Sequence, residues 1–219
     1  MRITLGIGLC AAIVSFSAGA LAEPKPPVFQ CFPTPALGAL PYPGAPRIPN
    51  TNRLIQPAGK ALPYDGQILV VQGRVYDSRC VPVKNAEVEL WQADPFGRLQ
   101  LATGEDLVNP KPVFTGAGRT YTEEDGEFTF ITAFPGFNKG AAPTLSIRLS
   151  APNQPTLSTR LYFANDARNA RDVGYKRLKD SQRAKVTMEI HPRDPNDPEG
   201  PLLATIKLVM AGKATYQGY

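Results

Sequence analysis

The sequence predicts an all-β domain, a two-sheet β-sandwich over residues 66–219 with an extended proline-rich N-terminal arm. From Gly66 onward, short runs of β-branched and aromatic residues alternate with turn signals at roughly even spacing, a pattern typical of sandwiches. The one helical candidate, Asn169 to Lys179, is weak. Residues 23–65 contain eleven prolines, which exclude long helices and central strands from that stretch.

About eight strands are predicted in residues 66–219. The first, Ile68 to Tyr76, is expected to be broken or bulged at Gly73, and residues 77–82 then form a turn. A hairpin is expected across Glu124-Asp125-Gly126, because acidic-glycine pairs favour hairpin turns. The other predicted strands are Ala86 to Trp91, Thr120 to Thr122, Glu127 to Thr132, Leu145 to Leu149, Ser158 to Phe163, Val186 to Ile190 and Leu202 to Val209.

Residues 1–22 have the pattern of a cleaved secretory signal. Arg2 precedes an apolar stretch from Ile3 to about Phe16, and Ala20-Leu21-Ala22 supplies small residues two apart. A membrane anchor is the alternative, but the stretch is shorter than the ~20 residues that a spanning helix needs. We therefore expect a periplasmic or secreted protein with no membrane span after cleavage.

Export determines how the cysteines are interpreted. Cys10 would leave with the signal, so Cys31 and Cys80 remain. An even number of cysteines in an oxidising compartment favours a disulfide, with two unpaired buried thiols as the alternative. The bridge would attach the arm (residues 23–65) to the body, and the arm is expected to be ordered rather than disordered.

The charge pattern argues against a nucleic-acid partner. The formal net charge of the whole chain is +5, and no run of lysines and arginines alternates with aromatic residues. Nucleic-acid-binding domains concentrate positive charge on one face or along one helix.

Several motifs follow one another in a characteristic order. The most specific is Val88-Glu89-Leu90-Trp91-Gln92-Ala93-Asp94, with Gly97-Arg98 shortly after it. The others are Cys31-Phe32-Pro33-Thr34-Pro35, Gly73-Arg74-Val75-Tyr76-Asp77, residues 114–120, Asp125-Gly126-Glu127-Phe128, Pro135-Gly136 and Arg160-Leu161-Tyr162-Phe163. Their order and spacing resemble the intradiol ring-cleavage dioxygenases, the family of catechol 1,2- and protocatechuate 3,4-dioxygenases.

The resemblance implies a non-haem ferric ion held by two tyrosinates and two histidines, the histidines forming a His-x-His strand. In this sequence the two histidine positions carry Ser146 and Arg148, and the two tyrosine positions correspond to Asp106 and Asn138. Serine is a weak donor, and a guanidinium has no lone pair to offer a metal. We therefore expect these four residues to be the vestige of a metal site, with no iron cofactor.

Arg148 needs a partner if it is buried in the former pocket, because an unpaired buried charge is costly. Asp106 is the expected partner, in a salt bridge that replaces the metal. The alternative is that the strand has shifted and Arg148 reaches solvent. Arg119 and Arg148 are also candidates for binding an anionic aromatic acid, because a guanidinium binds a carboxylate through two hydrogen bonds.

A rebuilt metal site would need other donors, such as Asp106, Tyr121 or Tyr162. We interpret the two tyrosines as packing residues instead. His191 is the single histidine of the chain and stands before a turn rich in proline and aspartate, where a surface role is expected.

The leading functional prediction is a non-catalytic binding or structural module of the cell envelope, with an envelope protein or a second copy of the chain as partner. One alternative is a catalytic intradiol dioxygenase with a rebuilt metal site, and another is a binder of small aromatic acids. A hydrolase is a further alternative, but the chain has no Gly-x-Ser-x-Gly motif.

Overall fold

The structure is a computed structural model that describes residues 31–38, 48–55, 66–99, 114–137 and 141–213. The predicted signal, much of the arm, Asp106 and Asn138 lie outside these ranges. The secondary structure of the described part is mostly β-strand, with a few short helices. This confirms the all-β prediction.

Eight strands of the described residues follow the order β3-β2-β5-β6-β7-β8-β1-β4 across the sheet. The pairing divides this eight-stranded sheet into two four-stranded halves, β3-β2-β5-β6 and β7-β8-β1-β4. The halves are joined by a short parallel pairing of β6 with β7. The strands are β1 (Ile68–Tyr76), β2 (Glu87–Gln92), β3 (Ala117–Tyr121), β4 (Glu127–Ala133), β5 (Thr144–Ser150), β6 (Leu157–Phe163), β7 (Thr187–Pro192) and β8 (Leu202–Val209).

The main hydrophobic core lies between the two halves. Alternate residues of each strand face it because successive side chains of a strand point to opposite sides. β5 contributes Leu145, Ile147 and Leu149, all fully buried. Consequently Ser146 and Arg148, which alternate with these leucines and isoleucine, lie on the opposite side of the sheet.

The hairpin predicted across residues 124–126 is wrong. The turn itself is present, since the Glu123 amide donates to the Glu127 carbonyl at 2.8 Å. The strands on either side separate, because β3 pairs with β2 whereas β4 pairs with β1. A salt bridge from Arg74 of β1 to Asp125 holds the turn next to β1. The turn therefore connects one half of the sheet to the other.

The break predicted at Gly73 is also absent. β1 keeps a continuous register with β4 and β8 through this residue. A Cβ atom at position 73 would come within 2.2 Å of the Phe128 ring. The glycine is therefore needed for the packing of the aromatic ring against the strand.

The predicted disulfide between Cys31 and Cys80 is confirmed, with the two Cα atoms 5.1 Å apart. The described part of the arm that follows it pairs with the body: the Thr34 amide donates to the Val209 carbonyl, and the Val209 amide donates to the Thr34 hydroxyl, both at 3.0 Å. The bridge therefore fixes a segment that lies along β8.

The weak helical candidate, Asn169 to Lys179, overlaps the first two of three short helical pieces, and the third begins just after it. They are a 3-10 helix (Ala167–Ala170), α1 (Val173–Lys176) and α2 (Asp180–Val186). Asp166 and Asp172 precede the first two and accept backbone N–H groups at their starts, as N-capping residues do. No helix within the described residues has the length and apolar character of a membrane span.

Candidate functional site

The candidate site is the side of β3, β2, β5 and β6 that faces away from the main core, which we call the outer face. Cross-strand pairing arranges its side chains in rows. One row contains Ala117, Trp91, Ser146 and Arg160. The neighbouring row contains the residues Arg119, Glu89, Arg148 and Ser158.

Ser146 and Arg148 lie where the His-x-His pattern predicts, two residues apart on one face of β5. The pairing of β5 with its two neighbours is continuous, because Ser146 pairs with Trp91 and Arg160, and Arg148 pairs with Glu89 and Ser158, without a gap. Ser146 is fully buried, whereas the side chain of Arg148 is 46% exposed.

Arg148 forms its salt bridge with Glu89, which sequence reasoning did not single out. Both Nε and Nη2 of Arg148 contact Oε2 of Glu89. The expected partner, Asp106, lies outside the described residues. The alternative was that Arg148 only reaches solvent. Arg148 is instead both partly exposed and paired with Glu89.

Glu89 is shared by two arginines. Its carboxylate is only 1% exposed, and its other oxygen, Oε1, is 2.5 Å from Nη2 and 3.2 Å from Nε of Arg119. The side-chain hydrogen bond that Arg119 donates to Glu89 raises the pKa of Arg119. The three residues form a row across β3, β2 and β5 in which both predicted ligand-binding arginines are already engaged by a carboxylate.

A second polar cluster lies at the β6 end of the outer face. The Tyr162 hydroxyl donates to Oδ1 of Asp172 at 3.3 Å. That oxygen also accepts the Tyr175 amide at 2.8 Å, while Oδ2 accepts the Ala142 amide at 3.1 Å. Burial is the main cause that raises the pKa of Tyr162 to about 12, so its phenol is neutral at physiological pH.

Arg160 stands between the salt-bridge row and this cluster. Its Nε atom is buried and has no hydrogen-bond partner. A Cβ atom placed at Gly174 would be 3.2 Å from Nη2 of Arg160 and 3.1 Å from the Tyr162 hydroxyl. The guanidinium therefore reaches the start of α1 close to the phenol.

The other sequence candidates lie apart from one another. His191 is exposed, and its Nδ1 is 2.9 Å from the Pro192 carbonyl oxygen. Tyr121 is 47% exposed and donates from its hydroxyl to Glu87 at 3.2 Å. Tyr162 packs against Tyr175, with 4.7 Å between ring centroids. The structure does not bring these three candidate donors together.

The residues of the outer face do not fit the ferric ion that the resemblance implies. At the first of the two positions where the resemblance implies histidines, Ser146 offers only a hydroxyl. The other holds a guanidinium, which has no free electron pair and already binds Glu89. In the parts of the chain that the structure describes, no three residues among histidine, cysteine, aspartate and glutamate are grouped to hold a metal.

Comparison with known proteins identifies the family. The profile of the family described as Dioxygenase matches residues 49–194, about two thirds of the chain. The chain belongs to the intradiol ring-cleavage dioxygenase family. The protocatechuate 3,4-dioxygenase alpha chain of Pseudomonas putida is 36% identical to it over 123 residues, which are 53% of this chain and 56% of that protein.

A Rickettsia typhi protein provisionally named as a dioxygenase is 31% identical over 131 residues, covering 57% of this chain and 63% of the relative. The chain thus spans less than two thirds of these curated relatives. The solved intradiol ring-cleavage dioxygenase of Tetranychus urticae superposes with a TM-score of 0.64 and 20% identity, over 84% of this chain and 98% of that one. At that identity the likeness shows the intradiol dioxygenase fold alone.

Sequence reasoning missed Glu89 and Arg160. Glu89 stands in the strand Glu87–Gln92, where it alternates with apolar residues, so it resembled a solvent-facing strand residue. Its burial follows from the two arginines opposite it, which requires knowledge of the strand pairing. Arg160 was noted only as part of a family motif, and no local signal marks its guanidinium as unpaired.

Proposed function

We propose that the protein is a non-catalytic intradiol dioxygenase-like protein that is exported and acts as a binding or structural module of the cell envelope. Export is supported by the signal pattern of residues 1–22. The fold alone does not supply the family's chemistry, because catalysis depends on the residues that hold the metal.

The observation that carries the proposal is the ion-pair row Arg119–Glu89–Arg148. Arg148 occupies a predicted iron-ligand position, in register on its strand, and its guanidinium is bound to Glu89. For a metal to bind at the position of Arg148, this face would have to break a contact between a buried carboxylate and two cations. Such contacts are costly to break because a buried carboxylate then loses its partners.

The test is oxygen consumption by the mature protein, purified and then incubated with ferric salt. Catechol and protocatechuate are supplied in turn, with an active intradiol dioxygenase as the positive control. We expect oxygen uptake indistinguishable from that of ferric salt without protein. Consumption of catechol together with an equal amount of oxygen, dependent on this protein, would refute the proposal and support the rebuilt-metal-site alternative.

A further inference from the structure

We propose that Arg160 is the binding centre of the outer face and that it takes the carboxylate group of a small organic acid. This inference rests on the proposed function, because it assumes that the outer face binds rather than catalyses. It assigns the binding role to Arg160, whereas sequence analysis had favoured Arg119 and Arg148.

The arginines of the outer face differ in whether a carboxylate already binds them. Glu89 accepts from Arg119 on one oxygen and from Arg148 on the other. A carboxylic acid would have to displace Glu89 from either of them. Arg160 carries no such cost, since its Nε is buried without a hydrogen-bond partner.

An acidic group close to Arg160, Asp172, is already occupied by other donors. Asp172 accepts hydrogen bonds from the Ala142 and Tyr175 amides and from the Tyr162 hydroxyl. No salt bridge connects Asp172 with Arg160 among the described residues. The carboxylate of Asp172 is therefore committed to the start of α1, and the Nε–H of Arg160 is left without an acceptor.

The donor geometry of an arginine side chain favours a carboxylate as the ligand. A guanidinium presents several N–H donors in one plane, which matches the two oxygens of a carboxylate, and such bidentate pairs are among the stronger hydrogen-bonded contacts. The neutral phenol of Tyr162 lies beside Arg160 and adds no competing negative charge. Gly174 supplies no side chain at the point where Nη2 approaches α1.

The experiment is a thermal-shift and calorimetric titration of the mature protein with benzoate. Benzamide, which has nearly the same shape but no charge, is the ligand control. We expect benzoate to raise the melting temperature in a concentration-dependent way, as a ligand of the folded state must. Benzamide should produce no shift.

Two variants test whether Arg160 binds the carboxylate. Arg160→Gln should weaken benzoate binding at least about tenfold, as expected for loss of a charged hydrogen-bonded contact. Gly174→Ala keeps the cation but places a methyl group 3.2 Å from Nη2, so it should also weaken binding. Arg193→Gln, which changes an exposed arginine at the end of β7, is the matched control and should bind benzoate as the unchanged protein does.

The inference is overturned if benzoate does not bind, if benzamide binds equally well, or if a correctly folded Arg160→Gln variant retains full affinity. Binding of inorganic phosphate in place of benzoate would contradict the assigned ligand class. If Arg160→Gln does not fold, Gly174→Ala decides the question. Failure of the inference is distinct from failure of the proposed function, because only oxygen uptake with catechols refutes the latter.

Discussion

Glu89 determines the state of both arginines that face it. Its carboxylate is almost completely buried while the two guanidinium groups remain partly exposed. The two cations therefore take the place of water around the anion. Hydrogen bonds to charged groups contribute more to stability than neutral ones, and a buried acceptor that loses its donors is penalised. Breaking the contacts of this row should therefore lower the free energy of unfolding by a measurable amount.

We predict that Glu89→Gln lowers the free energy of unfolding by about 1–3 kcal/mol, because the two arginines lose the charge they share. Chemical denaturation of the two proteins measures this difference. The matched control is Glu124→Gln, which changes a 73% exposed carboxylate paired with Lys84 and should cost less than about 1 kcal/mol. Equal effects of the two substitutions would contradict the role assigned to Glu89.

The stability of the folded protein in alkaline solution should depend on Tyr162. Its pKa is raised from 10.0 to about 12 in the folded protein, so the folded state retains the phenol proton more strongly than the unfolded state. The resulting stabilisation is fully present below pH 10 and is lost as the pH rises toward 12. Denaturation at several pH values should show the unchanged protein losing stability relative to Tyr162→Phe over this window.

Tyr121→Phe is the control for that experiment, because Tyr121 is 47% exposed. Its stability should follow the unchanged protein at every pH. Parallel curves for the unchanged protein and Tyr162→Phe between pH 10 and 12 would contradict the assigned pKa.

At the scale of single residues, the sequence placed Ser146 and Arg148 correctly on one face of a strand, because the two-residue period of a strand is a local property. The partner of Arg148 was not predictable in the same way. Glu89 is distant in sequence and reaches Arg148 through the pairing of β2 with β5. The burial of a charge depends on such contacts, and the sequence of one strand does not contain them.

At the scale of the elements, the disulfide and the paired segment after it attach the arm to the body. Cys31 and Cys80 are 49 residues apart, so the bridge restricts a long loop of the unfolded chain. The Cys31 amide also donates to the Ser78 carbonyl at 3.2 Å. The attachment therefore combines a covalent bond with backbone hydrogen bonds.

We predict that replacing both Cys31 and Cys80 by alanine lowers the free energy of unfolding by about 2–4 kcal/mol, mainly through the greater freedom of the unfolded chain. Denaturation with and without a reducing agent measures it. The reducing agent should destabilise the unchanged protein to the level of the double variant and leave the variant unaffected. No difference between the two proteins under oxidising conditions would contradict the prediction.

The strands themselves were predicted better than their connections. β2, β5 and β8 lie within a residue or two of their predicted bounds, because alternation of apolar residues is encoded locally. The turn at residues 123–127 was also recognised, but whether its two strands pair depends on what each meets in the folded molecule. β1 outcompetes β3 for β4, with a continuous register from Ile68 to Arg74.

At the scale of the whole molecule, the protein combines the family fold with an outer face on which Ser146 and Arg148 stand where the resemblance implies histidines. The two halves of the sheet enclose a core that extends through all eight described strands except β3, and neither Ser146 nor Arg148 belongs to it. The core can therefore maintain the fold while the outer face changes its chemistry. This separation of fold from site is why family membership does not establish activity.

The most direct test of the account is the amount of iron that the mature protein retains. The protein is unfolded, refolded with ferric salt, freed of excess metal by gel filtration and analysed for iron per chain. Because Ser146 and the salt-bridged Arg148 stand where the resemblance implies two nitrogen donors, we predict far less than about one iron atom per chain. Retention of about one ferric ion per chain that survives gel filtration would contradict the account.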